Sequence, residues 1–176
     1  MDEALHRISI LGSSKALDLS YLDLDELPEL PTNLLYLDCS YNKLTVLPIL
    51  PSNLKFLACS HNKLINLNNI PFSLKALHCE YNQIKHLPLL SDNLSILHCR
   101  MNLFEEPYKT LCKDYNLSKD SINKIILYYK RKLGRDLCNL YIVSNRLPED
   151  VLGCIGSYLT GIEKKSIKDQ LNILKN

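Results

Sequence analysis

Between residues 16 and 107 the apolar positions of the chain fall into a pattern that returns every 20 residues. Leu37, Leu57, Leu77 and Leu97 occupy one position of the unit, Cys39, Cys59, Cys79 and Cys99 a second, and Asn42, Asn62, Asn82 and Asn102 a third. One unit reads Leu34, Leu37, Cys39, Asn42, Leu44 and Leu47. An earlier, degenerate unit sets Leu17, Leu19, Leu22, Leu24 and Leu27 in the same register, with Leu19 at the cysteine position and Leu22 at the asparagine position. Alternation about Leu37 and Cys39 predicts a short strand with those two side chains inward. A unit this short cannot bury its own apolar face, so stability must come from stacking on its neighbours. Successive strands then form a parallel ladder about 4.8 Å apart. The asparagine is expected to turn inward and satisfy backbone groups where the chain leaves each strand, because a buried amide requires partners.

After the asparagine the return path carries Pro28, Pro31, Pro48, Pro51, Pro71 and Pro88. Proline removes a helix donor and favours extended conformations, so the convex side should be extended with few or no helices. The pattern LxxLxCxxNxLxxL resembles the leucine-rich-repeat consensus over a little more than half of the chain. The 20-residue unit with LPxLP segments at Leu27–Pro31 and Leu47–Pro51 is similar to the short repeats of bacterial type III effectors. The resemblance implies an α/β solenoid: a leucine-rich-repeat arc with a short parallel sheet on its concave face and a small α-helical C-terminal region. Such effectors often carry a ubiquitin-ligase domain, for which nothing here is long enough. The expected organisation is an N-terminal cap over 1–15, about five repeat units over 16–107, a helical region over 108–146 and F-box-like or capping helices over 147–176.

Four regularly spaced cysteines invite a zinc reading, which geometry disfavours. The outermost thiols of a four-strand ladder stand roughly 14 Å apart, whereas a tetrahedral zinc needs sulfurs within roughly 4 Å of one another. Cysteine is also a small, commonly buried apolar residue, so the column reads as core. Cys112, Cys138 and Cys154 have no paired spacing and read the same way.

The outward strand positions are the candidate binding surface. One column is Ala16, Tyr36, Phe56, Ala76 and Ile96, and the next is Asp18, Asp38, Ala58, His78 and His98. Beyond it lie Ser20, Ser40, Ser60, Glu80 and Arg100, flanked by Tyr21, Tyr41, His61, Tyr81 and Met101. Exposed aromatic residues at such positions are typical interface anchors, and a protein partner is expected there. Cross-strand packing of the aromatics, or occlusion by the C-terminal part, accounts for the same residues. His78 and His98 are expected to be neighbours, but without a carboxylate at hand no metal site is assigned. Glu80 beside Arg100 reads as an exposed ion pair.

After Pro107 helical periodicity begins. Ser118 suits an N-cap, with Asp120 in the first turn. Ile122, Ile125, Ile126, Tyr129 and Leu133 share one face, and Gly134 ends the helix. The run Lys130, Arg131, Lys132 complements the helix dipole and is no targeting signal. Residues 147–159, LPEDVLGCIGSYL, predict an amphipathic helix with Pro148 at its first position. The segment also resembles the opening of an F-box, matching at Leu147, Pro148, Glu149, Val151, Leu152, Ile155, Ser157, Tyr158 and Leu159. It departs from that form at Gly156, where a bulky apolar residue is usual. The resemblance implies docking on a Skp-type adaptor of cullin–RING ubiquitin ligases. Its C-terminal placement is similar to that in poxvirus ankyrin-repeat proteins. Together these imply a viral or pathogen substrate adaptor that presents a host protein held by the repeats. The alternative is a stand-alone binding or masking protein whose last helices cap the solenoid.

A net charge of +2 with dispersed lysines gives no basic stripe, so no nucleic-acid partner is expected. No apolar run reaches the roughly 18 residues of a membrane span. The N-terminal MDEALHRISI lacks the pattern of a signal peptide, so reduced thiols and a cytoplasmic location are expected, that of the host for a pathogen-derived chain. No phosphate loop, metal-spaced ligand set or nucleophile–base constellation appears, so neither catalysis nor a cofactor is expected.

Overall fold

The computed structural model describes residues 1–68, 70–106, 108–114, 117–128 and 132. The chain divides into two compact units, Met1–Ile126 and Leu127–Asn176. In the first, helix α1 (Asp2–Ser9) precedes strands β1 (Ala16–Asp18), β2 (Tyr36–Asp38), β3 (Phe56–Ala58), β4 (Ala76–His78) and β5 (Ile96–His98). The short helix α2 (Tyr108–Leu111) follows, and the described residues from 119 onward are helical (α3), of which 119–126 belong to this unit. The five strands form one parallel sheet in sequence order. Leu17, Leu37, Leu57, Leu77 and Leu97 stand side by side, each strand in register with the residue 20 further on.

Each turn of the solenoid contributes its leucines to a common interior. Leu34, Leu37, Leu44, Leu54, Leu57 and Leu64 are fully buried, as are Cys39, Cys59 and Cys79. The cysteine column is therefore core, and its members are free thiols. Cys39 and Cys59 donate weakly to the carbonyls of Ala58 and His78 on the next strand, both at 3.4 Å. Burial pushes the Cys59 and Cys79 thiols well above their usual range.

The asparagines hold the turns. Asn62 donates to the carbonyls of Cys39, Cys59 and Ser60 and accepts from the Leu44 amide at 2.9 Å. Asn42, Asn82 and Asn102 repeat the arrangement. Each amide thus reaches back into the preceding repeat. This explains why Leu22 is tolerated at the asparagine position of the first unit, which has no earlier repeat to serve. The chain leaves each strand through a residue of positive φ, at Tyr21, Tyr41, His61, Tyr81 and Met101.

Among the described residues the segments between strands contain no helix. Before each of β2, β3 and β4 the carbonyl of Pro31, Pro51 or Pro71 accepts from the leucine amide three residues on, and Ser91 does so before β5. Proline fits there because this position supplies only its carbonyl.

The sequence predicted no helix within 1–15. The α1 helix carries Asp2 and Glu3 in its first turn and His6 and Arg7 in its last, in accord with the helix dipole. Ala4 is buried, and Arg7 pairs with Glu3 at 2.9 Å and donates to the Asp18 carbonyl at 3.1 Å. At the other end, the Ser118 hydroxyl caps α3 by accepting from the Ser121 amide at 3.1 Å. Ile122, Ile125 and Ile126 are buried, and Lys119 donates to the carbonyls of Asp92 and Leu94. Lys132 is exposed. Tyr129, Lys130, Arg131, Leu133, Gly134, Cys138, Cys154 and the whole F-box-like segment, Leu147 to Leu159, lie outside the described residues. No described helix is long and apolar enough to cross a membrane.

Candidate functional site on the concave face

Because side chains alternate along a strand, the residue before and the residue after each inward leucine face outward on the concave surface. In-register pairing then turns the outward positions into columns. Tyr36 and Phe56 meet with ring centroids 6.2 Å apart, and Phe56 and His78 form a T-shaped pair at 5.1 Å. His78 and His98 stack at 4.3 Å. Tyr36 is 51% exposed and Ile96 45%, so the central column presents apolar surface to water on both sides of Phe56 and Ala76. Ala58 and Ala76, between larger neighbours, are buried.

Along the edge where the chain leaves the strands runs a second, continuous array. Tyr21 stacks on Tyr41 at 4.2 Å, Tyr41 on His61 at 4.2 Å, and His61 on Tyr81 at 4.3 Å, with rings within 15° of parallel. The Arg100 guanidinium lies over the Tyr81 ring, 5.4 Å from its centroid. Tyr21, Tyr41 and Tyr81 are all exposed. Their uniform stacking follows from the identical left-handed backbone at each position. Spacing alone could show that they recur, but not that they stack.

The two columns border a groove of about 470 Å³, lined by residues that include Asp38, Phe56, His78 and Glu80. Asp38 accepts from the Ser40 amide at 2.9 Å, and Asp18 accepts from both the amide and the hydroxyl of Ser20. These acids close the turn after their own strands, a role the sequence reading missed although the DxS spacing carries it. Burial, and next the charge of His98, hold His78 below the usual imidazole range, against the opposing pull of Glu80 and Asp38.

Three expectations from the sequence differ from the structure. Glu80 is not half of an exposed pair with Arg100, because it is 7% exposed. It lies between Ser60 on one neighbouring repeat, which donates to Oε2 at 2.5 Å, and His98 on the other, whose Nδ1 stands 3.8 Å from Oε1. Nor do the two histidines lack a carboxylate. Among the described residues His78, Glu80 and His98 bring one ligand atom each to within 4.8 Å of one another. Ser40 and Ser60, read as outward, are buried at the turns they help to form.

A five-strand parallel ladder, with an inward asparagine after each of β2 to β5 and an extended return path, defines a leucine-rich-repeat solenoid. The chain is similar to the leucine-rich-repeat domain of a Shigella effector, with 38% identity and a TM-score of 0.54 over 59% of this chain and 48% of that one. It is also similar to YopM from Yersinia enterocolitica, with 34% identity and a TM-score of 0.42 over 50% of this chain and 24% of that one. The chain thus spans about half the length of the Shigella structure and about a quarter of the Yersinia one. No protein-family model and no curated protein sequence matches it. The short repeats are thus similar to those of the Shigella effector domain.

Proposed function

We propose that this chain is a protein-interaction module that grips a host protein on its concave face. The observation that carries the reading is the exposed aromatic surface, Tyr36 and Phe56 beside the stack of Tyr21, Tyr41, His61 and Tyr81. Aromatic rings already held by stacking lose little freedom on association, so more of their burial appears as affinity. Asp38 at one end of the groove and Arg100 toward the other give it a polarity that orients a partner. Similarity to a Shigella effector domain supports a pathogen setting; the proposed place of action is the host cytoplasm.

The segment Leu147–Leu159 supplies the second half of the proposal: it docks a Skp-type adaptor and so delivers the captured protein to a cullin–RING ubiquitin ligase. The competing reading is a stand-alone masking protein. Affinity capture of host proteins by the full chain tests both. Tyr36→Asp with Ile96→Asp should abolish capture of the concave-face partner, whereas Ile49→Asp, at an 85% exposed site on the return path, should not. A partner retained by the double variant rejects the concave face. Purified Skp adaptor should bind the intact chain and be lost on replacing Leu147, Pro148 and Ile155 by alanine. No binding by the intact chain leaves the masking reading.

A further inference from the structure

We propose that His78, Glu80 and His98 form a site for one divalent transition-metal ion of the zinc class, its remaining coordination position open to the concave groove. Register builds the site. His78 and His98 are direct partners across β4 and β5, and Glu80 follows His78 by two residues, on the same face. The inward Cys79 between them belongs to the core and takes no part.

The distances suit an ion better than a direct contact. Glu80 Oε1 and His98 Nδ1, at 3.8 Å, are too far apart for a hydrogen bond. Bonds of about 2.0–2.2 Å in a tetrahedral site set neighbouring donors about 3.3–3.5 Å apart. The whole donor set already lies within 4.8 Å, so a closure of about 1 Å brings it onto an ion. The carboxylate is already aimed: Ser60 holds Oε2 at 2.5 Å and leaves Oε1 toward the histidines. Such an outer hydrogen bond is the usual means of orienting a metal ligand. Phe56 against the His78 ring, and the stacked His98, restrict the imidazoles in turn.

Two nitrogens and one carboxylate select a borderline ion over magnesium or calcium, which require oxygen ligands. Arg100, over the Tyr81 ring, places a positive charge nearby and holds the affinity below that of a site without a neighbouring cation.

Calorimetric titration of zinc chloride into the metal-stripped full chain, kept reduced, tests the site, with cobalt absorption in parallel. The expected result is a zinc event weakened at least about tenfold by His98→Asn and by Glu80→Gln, and less by Ser60→Ala. The cobalt species lost in His98→Asn should show ligand-field bands without thiolate charge transfer. Glu80 is buried, so its variant is scored only if its circular dichroism is unchanged; His98, half-buried on the surface, keeps the test decisive otherwise. Zinc binding undiminished in His98→Asn, thiolate charge transfer in the species it removes, or no binding at millimolar zinc each overturns the proposal.

Discussion

Asn62 connects the backbones of two adjacent repeats through one side chain. Replacing it with alanine would deprive the buried Leu44 amide of its acceptor and take one of two donors from each of the carbonyls of Cys39, Cys59 and Ser60, which keep Asn42, Asn82 and the Tyr41 amide. A buried polar group left without a partner costs about 1–3 kcal/mol. The three weakened carbonyls add to the cost of the unpaired amide, so Asn62→Ala should lower the unfolding free energy by about 3 kcal/mol in urea titrations. Asn102→Ala should lower it less, because that amide is only partly buried and water can reach the groups it serves. Equal losses at both positions would contradict the account. His78 gives a prediction of opposite sensitivity. Its folded value lies below the unfolded one, so between the two the unfolded chain holds the proton more tightly. Stability is therefore intact above the ordinary imidazole value near about 6.5 and falls as pH drops through it toward the lower folded value. An imidazole titration by NMR should give His78 a midpoint below that of free histidine. A midpoint at or above it would show that Glu80 and Asp38 prevail over burial.

The strands are three residues long and hold together only as a set, while the stacked ring array gives the ladder a second seam. Each ring in it stands on a residue of positive φ, a conformation that costs a non-glycine residue roughly 1–2 kcal/mol. Stacked aromatic pairs contribute about 0.5–1.5 kcal/mol beyond area burial. Tyr41 makes two such contacts, so Tyr41→Gly should destabilise by about 1 kcal/mol despite relieving the backbone. Tyr21→Gly, at the open end of the array with one contact, should be milder. The reverse order in matched urea midpoints would mean that backbone strain, not stacking, governs these positions. The 20-residue period was enough to read the ladder, the inward leucines and cysteines and the role of the asparagines, since each is fixed by a strict local alternation. What escaped it depends on neighbours in space. Glu80 reads as a surface acid until Ser60 and His98 are placed on either side. Helix α1 escaped because no side chain caps its N-terminus and its hold on the repeats comes from Ala4 and Arg7.

A solenoid whose turns contact only adjacent turns gains stability one interface at a time, and its two ends are its weakest points. Here the first strand is joined to α1 through Arg7 and the Asp18 carbonyl, and the last repeat is tied to α3 through Lys119 and the carbonyls of Asp92 and Leu94. The metal donors and Arg100 lie in the last two turns, close to that second end. Ile125, fully buried on α3, is the residue through which the end can be loosened without touching the groove. A carboxylate there cannot stay charged in an apolar interior, so Ile125→Asp should release α3 and cost at least about 3 kcal/mol of local stability. Because coupling passes from turn to turn, the loss should be graded. Amide exchange at Leu97 and Cys99 should accelerate most, at Leu77 and Cys79 less, and at Leu17 and Leu37 hardly at all. Uniform acceleration along the ladder would instead mean that the five strands open as one unit and that the terminal helices add nothing local to the end on which the histidines sit.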